Sequence, residues 1–240
     1  MSFSFEELDF QQTPLGEISL RRRAEPRLDG EILYEVKLGD EFLMSSLFTE
    51  AEIQLAHLGL AALEGTDFDV IVGGLGLGYT AVAALENPAV RSLRVIDIMQ
   101  PVIDWHQKGL VPLGKQLVSD SRCSLTHADF FALATANNNS FDPATPNQAV
   151  HAVLLDIDHS PSHWLNSANQ AFYSEHGLQQ LANKLHPRGI FGLWSNDPPE
   201  DAFMDLLNSV FATSESHIIT FPNPYTQGES TNTVYLARNY

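Results

Sequence analysis

An α/β fold, a doubly wound and mostly parallel sheet of seven strands with a small antiparallel β segment ahead of it, is what this 240-residue sequence predicts. Three observations carry that expectation. From Asp69 onward, short continuous apolar runs such as Val70 to Val72 and Ala152 to Leu155 alternate with helical segments, as strands buried on both faces do. A glycine-rich turn, Gly73-Gly74-Leu75-Gly76-Leu77-Gly78, stands between the first of these strands and a helix. Residues 1–48 instead alternate apolar and polar positions, the pattern of half-buried antiparallel strands.

The elements follow in order. Ile18 and Leu20 mark one early strand and Ile32, Tyr34, Val36 and Leu38 another, with turn chemistry at Asp29-Gly30 and Gly39-Asp40. Thr49-Glu50-Ala51-Glu52 has the spacing of a capping box and predicts a helix through about Leu63, ended by Gly65. The main sheet then takes strands at 70–72, 93–96, 124–126, 152–155 and 190–194, with helices near 79–85, from 101, at 178–185 and at 202–211. Ile218 to Phe221 and Thr233 to Ala237 can pair as a hairpin, placing one antiparallel strand at that end. Asn137 to Gln148, rich in Asn, Pro and Thr, predicts a mobile surface loop. Two units are expected, a β segment at 1–48 and a nucleoside-binding domain at 49–240.

Composition narrows the function. With 13 basic and 30 acidic side chains the formal charge is −17, which repels nucleic-acid backbones and anionic membranes. The same acidic field favours cationic ligands such as polyamines, and equally serves solubility. The basic run Arg21 to Arg23 is small, lies on a strand and is expected to be solvated. A single cysteine, Cys123, excludes an internal disulfide and suits a reducing, cytoplasmic setting. The acidic start (Glu6, Glu7, Asp9) does not read as a signal peptide, and no apolar run approaches a membrane span.

The chemistry-bearing residues cluster at strand ends. Gly73, Gly74, Gly76 and Gly78 let backbone turn sharply against a ligand at a helix N-terminus. Asp97 ends the next strand, where an acid accepts hydrogen bonds from both ribose hydroxyls; the competing role is a helix N-cap near Pro101. These two features do not separate a dinucleotide from S-adenosylmethionine. Asp129 in Ala128-Asp129-Phe130 can accept from an adenine amino group or cap a helix. Asp156 and Asp158 in Leu155-Asp156-Ile157-Asp158 would share one face of an extended chain, where paired carboxylates raise a pKa toward that of a useful base. Their competing role is turn formation before Pro161. His159 and His163 stand four apart without a third ligand, so no metal is expected. Trp194-Ser195-Asn196-Asp197 is a candidate acceptor wall; Trp105, Trp164 and Phe172 are expected to pack, and His57 to be structural.

On these motifs the chain from about Asp69 to Ala237 resembles the spermidine synthase-like, polyamine aminopropyltransferase branch of the class I S-adenosylmethionine-dependent methyltransferase folds, a Rossmann-like architecture. The N-terminal β segment and Ala56-His57-Leu58 fit as well. The resemblance implies a transferase that binds S-adenosylmethionine or its decarboxylated form through the glycine turn, Asp97 (ribose), Ala128 and Asp129 (adenine). It implies that Asp156 helps deprotonate an attacking amine, that the acceptor is a small molecule such as a polyamine, and that the N-terminal hairpins can pair across a homodimer. Three departures concern the acceptor side. The family's Asp-Ser/Thr-Thr-Asp-Pro reads Asp156-Ile157-Asp158-His159-Ser160-Pro161, moving the second acid by one position. An acid inside the glycine loop is missing. A Tyr-Gln/His-Glu stretch is replaced by Ala51-Glu52-Ile53. A small-molecule methyltransferase and a non-catalytic nucleoside-binding homologue are the rival readings.

Overall fold

The computed structural model describes residues 5–240; positions 1–4 of the predicted β segment lie outside the described residues. Four strands, β1 (Phe5–Thr13), β2 (Gly16–Glu25), β3 (Glu31–Leu38) and β4 (Glu41–Ser45), form an antiparallel sheet in sequence order. The turn at Asp29-Gly30 is left-handed at both residues. The alternation predicted for β3 holds only in part. Ile32 is exposed, whereas Leu33, Glu35 and Val36 are buried, so burial along β3 does not follow a strict two-residue period. The Arg21 to Arg23 run is also corrected: Arg21 and Arg23 reach the buried carboxylate of Glu35 at 2.6 and 2.8 Å rather than standing in solvent. A buried acid requires such partners to stay ionised.

After helix α1 (Glu50–Ala61) come β5 (Phe68–Gly73), α2 (Tyr79–Glu86), β6 (Val90–Asp97), α3 (Gln100–Gln107), α4 (Gly114–Ser119), β7 (Cys123–His127) and α5 (Phe130–Thr135). Then follow β8 (Val150–Leu155), α6 (Glu175–Ala182), β9 (Leu185–Ser195), α7 (Asp201–Val210), β10 (Thr213–Asn223) and β11 (Gly228–Arg238). The seven strands lie in the order β10-β11-β9-β8-β5-β6-β7. β5 to β9 run parallel, and β11 is antiparallel to both of its neighbours, β9 and β10. The mostly parallel seven-stranded sheet is as predicted.

Side-chain alternation along the strands divides the core between the two faces. Val70 and Val72 face one cluster with Leu55, Leu77 and Leu154, while Ile71 faces another with Ile96, Phe130 and Phe172. Ile18, Leu20 and Val36 of the N-terminal sheet belong to the first cluster, so the two predicted units share one core. Each such side chain, fully buried, contributes roughly 1.5–3 kcal/mol. The loop at 137–148 is anchored within: Phe141 is buried and stacks on Phe130 at 5.7 Å, and the buried Lys184 ammonium donates to the Ala136 and Asn138 carbonyls. Among the described residues no helix is long and apolar enough to cross a membrane.

Candidate active site

A cavity of about 780 Å³ opens at the carboxyl ends of the parallel strands, and the N-terminal sheet closes it from above. A parallel sheet leaves its crevice at this edge, where neighbouring connections diverge. Gly74 and Gly76 line it, both left-handed with φ of 93° and 47°. At Gly74 a Cβ would collide with the Asp156 carbonyl, and at Gly76 with Met44 of β4. Only glycine permits that backbone and that closeness. Gly73 and Gly78 stand back from the cavity. Gly73 ends β5 against Phe130 and Leu155, and Gly78 caps α2 against Leu117 and His106.

Asp97, at the end of β6, lines the cavity beside this turn. The Leu75 N–H donates to its Oδ2 at 2.9 Å and the Met99 N–H to its Oδ1 at 2.7 Å. The Gly76 N–H is a third backbone donor, so of the roughly four acceptor positions of a carboxylate about one remains for a hydroxyl. Burial pushes its pKa up, opposed by these backbone donors. The cap of α3 is Met99, not Asp97.

Asp129 also lines the cavity while capping α5, its Oδ1 accepting from Ala132 N–H at 3.1 Å; both proposed roles are compatible in one carboxylate. Ala128 differs from expectation. It is not among the cavity-lining residues, and its N–H donates to the Asp97 carbonyl at 3.1 Å, extending the β6–β7 ladder.

The two acids after β8 part company. Strand β8 ends at Leu155, so the alternation that would put both on one face stops before them. Asp156 lines the cavity, with Thr80 of α2 donating to its Oδ2 at 2.9 Å, and burial pushes its pKa up to about 6. Asp158 is 1% exposed and lies outside the cavity lining. It accepts from Leu165 N–H, Asn169 Nδ2 and Tyr173 Oη at 2.8–2.9 Å, organising the 158–173 loop. The catalytic expectation for Asp158 is therefore corrected to a structural one.

The second acid beside Asp156 comes from elsewhere. Glu52 of α1 lines the cavity at 8% exposure, and its pKa is raised well above the usual value by burial first and by the Asp156 charge second. No capping box forms: the Thr49 side chain makes no cap hydrogen bond. In sequence a capping glutamate and a cavity glutamate look alike; the apolar surroundings of Ala51 and Ile53 were the available hint.

The remaining wall is mixed. Trp194 and Asn196 line it as expected, while Ser195 is buried and accepts from Asp197 N–H. His159 lines the cavity with its Nε2 2.7 Å from Glu41 Oε1, joining the loop after β8 to the N-terminal sheet. His163 faces Asp197 instead. Among the described residues no group of three or more His, Cys, Asp or Glu could hold a metal ion. Trp105 and Phe172 are buried packing residues, whereas His57 is an exposed partner of Glu86.

Four carboxylates thus face one cavity whose lining contains neither lysine nor arginine. Such a chamber favours a cationic ligand and disfavours an anionic one.

No family model matches the sequence. A polyamine aminopropyltransferase from Sulfolobus acidocaldarius is 25% identical over 208 residues, covering 87% of this chain and 61% of that protein. This chain thus spans about three-fifths of the length of that curated relative. A spermidine synthase crystallised with the transition-state analogue AdoDATO superposes with a TM-score of 0.74 at 16% identity, over 98% of this chain and 74% of that one. The spermidine synthase from Thermotoga maritima gives a TM-score of 0.72 at 14% identity, over 98% and 72%. The chain has the spermidine synthase-like form of the class I methyltransferase fold.

Proposed function

We propose that this protein is a transferase that moves an aminopropyl group from decarboxylated S-adenosylmethionine to a small amine. The observation that carries this reading is the four-carboxylate, lysine- and arginine-free lining that joins the glycine turn and Asp97 to Asp156 and Glu52. Gly74 and Gly76 bring backbone against the nucleoside, Asp97 accepts from a ribose hydroxyl, and Asp129 accepts from the adenine amino group. The sulfonium and the incoming ammonium are both cations, and both gain from these acids.

The chemistry follows from placement and proton transfer. The bound ammonium loses a proton to the Asp156 carboxylate, whose raised pKa suits it to receive one. The freed nitrogen lone pair attacks the aminopropyl carbon next to sulfur. The new C–N bond forms as the C–S bond breaks, and sulfur keeps the electron pair, leaving neutral methylthioadenosine. Holding both reactants in line supplies much of the acceleration. Thr80 fixes the Asp156 carboxylate by its hydrogen bond.

The same lining separates the donors. S-adenosylmethionine carries a carboxylate, for which the cavity offers no lysine or arginine; the decarboxylated donor has none. Methyl transfer from S-adenosylmethionine is thereby the weaker reading. Incubation with each donor and a panel of amines, followed by mass spectrometry, decides between them. Methylthioadenosine from the decarboxylated donor supports the proposal; S-adenosylhomocysteine from the other donor replaces it with methyl transfer. Absence of either product, with methylthioadenosine still binding, leaves the non-catalytic homologue.

Two further parts of the proposal concern the setting. The lone Cys123 thiol is unpaired, in keeping with a reducing cytoplasm. β1 ends its sheet with Phe5 and Phe10 exposed, an edge on which a second copy would form a homodimer, measurable by sedimentation.

A further inference from the structure

Strand order sets out the cavity as a gradient of charge. Asp129 and Asp97 stand at the β7 and β6 tips, and Asp156 at the β8 tip with Glu52 beside it. Beyond β8, toward β9, β11 and β10, the lining is Trp194, Asn196, Ser230, Thr231, Asn232 and Phe221, all uncharged.

The nearest acids on that side are engaged and do not line the cavity. Asp197 pairs with His163, Glu200 accepts from Ser162 Oγ, and Glu41 pairs with His159. The aromatic content of this end is high, with Phe48 against Phe221 at 5.5 Å.

Resting on the aminopropyl-transfer reading above, we infer that the acceptor is a monoamine: a primary amine whose far end is uncharged and apolar or aromatic. With its amine at Asp156 and Glu52, the rest of the molecule runs along the edge toward β9 and β11. A short diamine held the same way would place its second ammonium about one to two strand spacings further on, roughly 5–10 Å away. There it meets indole, amide and hydroxyl groups instead of a carboxylate, and loses the charge-assisted hydrogen bonds it makes in water.

The test is calorimetry on the protein loaded with methylthioadenosine, titrated with phenethylamine, butylamine and putrescine. The monoamines are expected to bind at least about tenfold more tightly than putrescine, phenethylamine best. Equal or tighter binding of putrescine, or no binding of any of the three, overturns the inference. Thr231→Asp adds a carboxylate at an exposed position of the neutral wall, and is expected to recover about tenfold for putrescine alone; no gain also overturns it. Because binding is read without turnover, this result stands apart from the transfer reaction. Methylthioadenosine produced faster with putrescine would sink the monoamine and keep aminopropyl transfer, while tight monoamine binding with no product from either donor would sink transfer alone.

Discussion

The Leu75 N–H donates to Asp97 Oδ2 at 2.9 Å across 22 positions of sequence, tying the glycine turn to the tip of the next strand. The nucleoside reading depends on that contact. Asp97→Ala removes the acceptor for the turn, for Met99 and for the ribose together. Methylthioadenosine affinity is expected to fall by about 10- to 100-fold, the worth of one charge-assisted hydrogen bond, measured by calorimetry. Unchanged affinity would show that the ribose lies elsewhere.

Asp156→Asn keeps the shape and the Thr80 contact but cannot take a proton. Turnover is expected to drop about 10²- to 10⁴-fold while methylthioadenosine binds as before. In the unaltered protein kcat/KM should rise with pH through about 6 and then level, because the base works only when ionised.

Glu52 holds its proton more tightly folded than unfolded, so the folded state is favoured at low pH. Stability from this group declines as pH climbs past its unfolded value of 4.5 toward the raised folded one. Glu52→Gln, which resembles the protonated acid, should therefore raise the Tm of the ligand-free protein more at about pH 8 than at about pH 5. A Tm gain independent of pH would contradict burial of an ionisable Glu52.

Asp158→Ala leaves three part-buried donors, from Leu165, Asn169 and Tyr173, without their acceptor. A loss of about 3 kcal/mol, or about 6–12 °C in Tm, is expected for a chain of this size. Activity per folded molecule should stay far above that of Asp156→Asn, as a structural acid requires.

Much of this was legible. The placement of Asp97 and Gly74 at the cavity was readable because a glycine turn between strand and helix and an acid at the next strand's tip leave a fixed spacing. Asp156 followed from the end of a buried strand. Asp158 was misjudged because face-sharing was inferred from extended geometry, and extension stops at Leu155. Glu52 was hidden because capping and cavity roles use the same residue three positions into a helix. The six-residue helices α4 and α5 are too short for periodicity to speak. The pairing of Ala128 N–H with the Asp97 carbonyl was not readable, because whether an N–H meets a neighbouring strand is decided by register, which no local pattern records.

Tyr225, at the β10–β11 turn, bonds Glu25 and Arg23, 200 and 202 positions earlier. During synthesis those early strands must wait for about 200 further residues to leave the ribosome before this partner arrives. Such long-range closure is slow relative to local pairing. A nascent chain that stops short of Tyr225 therefore lacks this tie between the roof of the chamber and the β10–β11 hairpin.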